Sequence, residues 1–184
     1  MIDQELNRKA KALLDSPFFT NHVDQGYLAE KQCIFLTLCG KKAVSEASSS
    51  KWITTKNGGH SEPENEDKLC AFLSSLGLAY SLRNDEYATN ALVSFDQRKI
   101  TECEQAGDDW VKVGQLFGYP MTAVNAFDKD TVLDNDKQDI LMEKAGLPLY
   151  MPQFRFSQDH ASEELEVLKD WYTTLKKYNL VEES

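Results

Sequence analysis

The densest group of titratable side chains at a spacing that permits chemistry is Asp159, His160, Glu163 and Glu164. Histidine is the side chain that titrates near neutrality, so with an acidic neighbour it can serve as a general base. Residues four apart share one side of a helix. His160 and Glu164 could therefore offer two ligands to a divalent ion, or a base and its orienting carboxylate. The same residues also read as a solvated helix start, where acids complement the positive end of the helix dipole. The other histidines, His22 and His60, have no fixed partner in sequence.

The cysteines offer less. Cys33, Cys39, Cys70 and Cys103 form no C-x-x-C pair, and they read as reduced, mostly buried thiols. Cys39 precedes Gly40-Lys41-Lys42, and two nearby lysines could lower a thiol pKa, which gives a sharper reading of a reactive group there. The acids at Asp128, Asp130, Asp134 and Asp136 suggest a calcium loop, but Leu133 stands where glycine is required. No nucleophile elbow, phosphate-binding loop, dinucleotide motif or H-E-x-x-H occurs. The sequence names no cofactor and no complete metal set.

The elements that would position these groups are partly legible. Leu6, Ala10, Leu13 and Leu14 mark a helix ended by Asp15-Ser16-Pro17. The apolar run within Tyr27–Val44 fits a buried helix or a buried strand, with helix favoured because no breaker interrupts it. Residues 45–67 are polar and turn-rich and read as a loop or linker, with Trp52-Ile53 as a packing anchor. Leu69, Phe72, Leu73 and Leu76 mark a helix ended by Gly77. Leu78–Leu82 and Ala91–Phe95 read as strands, with helical composition returning at Lys99–Gln105. Asp134–Lys144 reads as a helix. Tyr150, Pro152, Phe154 and Phe156 alternate like a third, edge strand. Ser157 and Asp159 can cap a final helix that buries Leu165, Leu168, Tyr172 and Leu175.

A sharp corner lies between. Trp110, Val113, Gly114 and Phe117 are spaced i, i+3, i+4, i+7, as are Pro120, Ala123, Val124 and Phe127. Each set predicts one buried face of a short helix. Gly118 suits a left-handed residue after the first helix, and Pro120 suits the first turn of the second. Gly114 would let a neighbouring backbone approach.

The run Gly114-Gln-Leu-Phe-Gly-Tyr-Pro-Met-Thr-Ala-Val-Asn-Ala-Phe127, with Leu76–Tyr80 before it and Phe154–Leu165 after it, resembles an uncharacterised prokaryotic family. That family carries a G-x-L-x-G-Y-P-x-C-C-x-x-A-F signature. The resemblance spans about residues 68–175 and implies fold rather than function. The family's paired cysteines fall on Thr122 and Ala123, so thiol chemistry at that place is not carried over.

Charge narrows the partners. The 184 residues carry 30 acids against 20 bases, a net charge of −10. The corner could imitate a helix-turn-helix offering Thr122, Asn125 and Lys129, but without a basic patch the phosphate attraction is missing. The first residues have no apolar stretch of the signal-peptide kind, and no segment approaches a membrane span of ~20 apolar residues. The sequence thus leads to an acidic cytoplasmic protein of one domain, residues 1–184, with a helical segment at 1–44 and an α/β body at 68–184. The expected fold is α/β (α+β), a small mixed or antiparallel sheet of about three strands packed by helices. The expected role is non-catalytic binding of a protein partner or small ligand, with no nucleic acid or membrane partner. Gly118, Tyr119, Pro120, Asp159, His160 and Glu164 are the candidate binding residues. The alternative is a small metal-assisted or hydrolase-like enzyme centred on His160 near the Gly118-Tyr119-Pro120 corner.

Overall fold

Helix α2 (Ala29–Leu38) is buried on nearly every side, and Ile34, Phe35 and Leu36 have no exposed surface. A helix of that kind must be surrounded. The computed structural model describes residues 2–19, 29–50, 52–54, 60–63, 66–84, 86, 88–151 and 153–181, so His22 lies outside it. Around α2 pack α1 (Ile2–Asp15) and α8 (Ala161–Lys177) with one face of a sheet, and α3 (Glu66–Ser75) adds Leu69 and Leu73 to the same core. Three polar residues of α2, Lys31, Gln32 and Thr37, are buried with it. Lys31 donates to the carbonyls of Ser16 (2.7 Å) and Leu14 (3.2 Å) at the end of α1. Gln32 donates to the carbonyl of Leu180 at 2.7 Å.

The sheet is antiparallel, in the order β1 (Ser45–Ser50), β5 (Ala88–Ser94), β4 (Ala79–Asn84). Ala47, Ala91 and Val93 face the main core. Leu92 faces a smaller one with Val44, Ile100, Cys103 and Leu116, closed by α4 (Gln97–Ala106) and α5 (Trp110–Leu116). This is the alternation that a strand imposes on its side chains. A separate two-stranded pair joins β2 (Trp52–Thr54) to β3 (His60–Pro63). Helices α6 (Met121–Asp128) and α7 (Asn135–Lys144) complete the order among the described residues. The fold is α+β, with its N-terminal helix in place.

Several elements differ from expectation. The stretch 45–67 that reads as loop holds β2, β3 and the third strand of the sheet, Ser45–Ser50, while the described residues of 150–156 carry no strand and Pro152 lies outside the described residues. Ser45 Oγ donates to the Cys33 carbonyl at 2.8 Å, and Ser49 Oγ accepts the Phe19 N–H at 3.0 Å. Buried serines so bonded carry no apolar signature. Residues 153–156 form no strand because a side chain takes their backbone groups. The Gln138 amide accepts the Phe156 N–H (2.9 Å) and donates to the Phe154 carbonyl (3.0 Å). Pairing is left to a single bridge between Val132 and Ser157. In α8, the deepest aromatic is Trp171, 2% exposed, while Leu165 and Tyr172 are only partly buried.

Candidate functional site

The corner begins with Gly118. Its φ of +76° is the left-handed conformation that ends α5, with N–H bonds from Gly118 to Gln115 and from Tyr119 to Gly114. A Cβ at Gly118 would lie 2.5 Å from the Lys41 carbonyl oxygen. Only glycine permits both the backbone and the approach. The approach is held from the other side, where Ala43 and Val44 both donate to the Leu116 carbonyl. Gly114 serves a second contact. A Cβ there would meet Val124 Cγ2 at 2.8 Å, so α5 and α6 close on a side chain rather than on a backbone.

This clamp places Phe117 and Tyr119, rings in edge contact at 5.9 Å, next to Lys42. The Lys42 ammonium is 5.1 Å from the centroids of Tyr119 and Trp171 and 5.5 Å from that of Phe117. Lys42 is 5% exposed and makes no ion pair among the described residues. Ring faces supply the negative potential that a carboxylate would otherwise supply. Burial still pushes its pKa below the ordinary lysine value. Tyr119 packs onward against Phe154 at 5.4 Å, and burial raises its hydroxyl pKa to about 12.

On this aromatic floor lies a groove of about 590 Å³. One wall is apolar, with Trp110 and Val113 from α5, Phe117 just after it, and Ala123, Val124 and Phe127 from α6. The facing wall is polar and comes from Asn135, Gln138 and Asp139 of α7 with Gln153 and Arg155. Phe154 interrupts it. Gln138 is held by Gln153, Phe154 and Phe156, and Arg155 Nη2 donates to the Leu133 carbonyl. The ends of the two helical stripes are not buried as the spacing predicts. Trp110 is 60% exposed and Phe127 50%, and both line the groove. A period of 3.6 locates a stripe but cannot tell a core from a groove.

Of the candidate residues read from sequence, Tyr119 lines the groove. Gly118 and Pro120 form the corner around it, Pro120 standing just before α6. Asp159, His160 and Glu164 do not line it. Glu164 is 1% exposed, and its two oxygens accept the Ser157 N–H (2.7 Å) and hydroxyl (2.8 Å). His160, half exposed, has Nδ1 3.5 Å from Glu163. Ser157 Oγ accepts the His160 N–H, and no side chain caps the first turn of α8. His160 and Glu164 thus face different surroundings although four apart. Among the described residues no three His, Cys, Asp or Glu side chains are grouped to hold a metal. Cys39 is not activated by its lysines, since burial pushes its pKa up to about 11.

No family model, no curated protein and no solved structure matches this chain. No described helix is long and apolar enough to cross a membrane.

Sequence reading missed Lys42, Gln138 and Arg155. Polar side chains in those places carry the signature of a wet surface, and their burial arises from contacts distant in sequence. The pair Asp108-Asp109 directly before Trp110 was the available sign that this tryptophan stands at a surface.

Proposed function

We propose that this chain is a non-catalytic binding protein and that the groove between α5–α6 and α7 is its ligand site. The observation that carries this reading is the pair Trp110 and Phe127, large aromatics left more than or about half exposed at the lips of a 590 Å³ concavity. Ligand sites of this size with apolar walls and a few convergent polar groups are the common form of a recognition pocket. Exposed apolar surface in one continuous groove is also costly to keep unless it is covered during function. The metal-assisted alternative lacks comparable support, because Glu164 is engaged by Ser157 and His160 lies outside the groove.

Titration with Nile red, a neutral dye that brightens in apolar sites, tests the reading. Saturable binding to the wild type, weakened about tenfold or more in Trp110→Ala/Phe127→Ala, is expected. Equal binding to both proteins, or none to either, would overturn it.

A further inference from the structure

We infer that the groove receives a cationic amphipathic helix from a partner protein. This rests on the groove being the ligand site. Three observations lead to the occupant.

The first is the surface to be covered. Trp110 and Phe127 stand on different helices at the groove's lips. Met121 on α6 and Ile140 on α7, 43% and 48% exposed, add apolar surface outside it. An occupant confined to the cavity would leave much of this wet, whereas a helix laid across it would cover both lips. Helices that dock in grooves present apolar anchors at i, i+3/i+4 and i+7, and tryptophan is the residue type most often dominant in such contacts.

The second is charge. Exposed aspartates sit beside the lips: Asp108 and Asp109 before Trp110, Asp128 and Asp130 after Phe127, Asp134 and Asp136 at the start of α7. Lys112, Lys129 and Lys137 are the bases in the same stretch, and Lys137 is already paired with Asp134 at 2.9 Å. Such a rim steers a cationic partner and repels an anionic one.

The third is inside the groove. Asp139 is half-buried on the polar wall and makes no ion pair or hydrogen bond among the described residues. The cation of that wall, Arg155, donates instead to the Leu133 carbonyl. A lysine or arginine among the anchors of the incoming helix would meet the Asp139 carboxylate.

The test uses three synthetic peptides of roughly four helical turns. One is a Leu/Lys amphipathic helix, the second has every Lys replaced by Glu, and the third has the Leu/Lys composition with its period destroyed. Binding is followed by anisotropy against wild type, Trp110→Ala/Phe127→Ala and Asp128→Asn/Asp130→Asn/Asp136→Asn, each checked for folding by circular dichroism. The Leu/Lys helix is expected to bind at least about tenfold tighter than either control peptide and to lose about tenfold on removal of the two aromatics. Removal of the three aspartates should weaken it about fivefold at low salt and flatten its salt dependence. Equal binding of the Glu peptide or of the aperiodic peptide overturns the inference. If no peptide binds while Nile red still does, the inference falls and the groove remains a ligand site. If neither binds, both fall.

Discussion

The Lys42 ammonium lies 5.1 Å from the centroid of the Tyr119 ring, on a side chain only 5% exposed. With Phe117 and Trp171 it completes an aromatic cage under the corner. Cation–π attraction of about 2 kcal/mol per desolvated contact opposes a burial cost of several kcal/mol for the ion. Lys42→Met, which keeps the stem and drops the charge, should therefore match or exceed wild-type stability at pH 7. Lys42→Ala should lose about 2 kcal/mol or more through lost packing. The folded state holds the Lys42 pKa below 10.5, so between the folded value and 10.5 the unfolded chain binds more protons and wild-type stability rises with pH. The advantage of Lys42→Met should accordingly shrink between pH 7 and pH 10, as read from urea midpoints.

Lys31 gives a sharper window. Burial lowers its pKa from 10.5 to about 8, although it donates to two carbonyls. The unfolded state again binds more protons, here between about pH 8 and 10.5, so the group's contribution grows as pH rises. Relative to Lys31→Met, wild-type stability should rise across this window by up to about 3 kcal/mol. Cys39 and Tyr119 act in the opposite sense at higher pH, because their pKa values are raised to about 11 and about 12. A flat difference between the two proteins would show that Lys31 titrates normally.

Gly118→Ala meets both a left-handed φ and a backbone oxygen at 2.5 Å. Gly146 has a similar φ of +69° with nothing near its missing Cβ. Gly146→Ala should cost about 1 kcal/mol, the conformational penalty alone. Gly118→Ala should cost about 3 kcal/mol or more, because the Lys41 segment must also move. Thermal melts of the two variants give the comparison, and equal losses would remove the clamp from the account.

Glu164 and Ser157 form a closed pair at the start of α8. Glu164→Gln should lose about 1 kcal/mol, since its amide NH₂ would turn the Ser157 hydroxyl into an acceptor and take away the acceptor of its O–H in a buried place. His160→Ala should change stability by about 0.5 kcal/mol or less, its side chain being half exposed. A double-mutant cycle with Ser157→Ala measures the coupling, and additive losses would mean that the two residues act separately.

What the sequence disclosed follows from which interactions are local. The helix ended by Gly77 and the centres of the strands Ala79–Asn84 and Ala88–Ser94 were legible because spacing and breakers are read within a few residues, whereas their polar ends at 83–84 and 88–90 read as connection. The Gly118 corner was legible because one φ dictates one residue type. Strand Ser45–Ser50 was hidden, since its buried serines are satisfied by Cys33 and Phe19, a chain segment away. Residues 153–156 imitated a strand, but their alternation reflects packing on Trp171 and Tyr119 while Gln138 holds their backbone. Lys42 was hidden most completely. Nothing adjacent in sequence foretells three rings brought from residues 117, 119 and 171.

The bond from Gln32 to the Leu180 carbonyl joins residues 148 positions apart. It lies within a helix that needs neighbours on all sides and receives one of them, α8, last. During synthesis, Ile34, Phe35 and Leu36 precede α8 and lack that part of their cover until it has been delivered. Nascent chains arrested before α8 would carry an adhesive apolar rod with no lid. The order of manufacture therefore sets a period of vulnerability for this protein, which closes only when α8 docks.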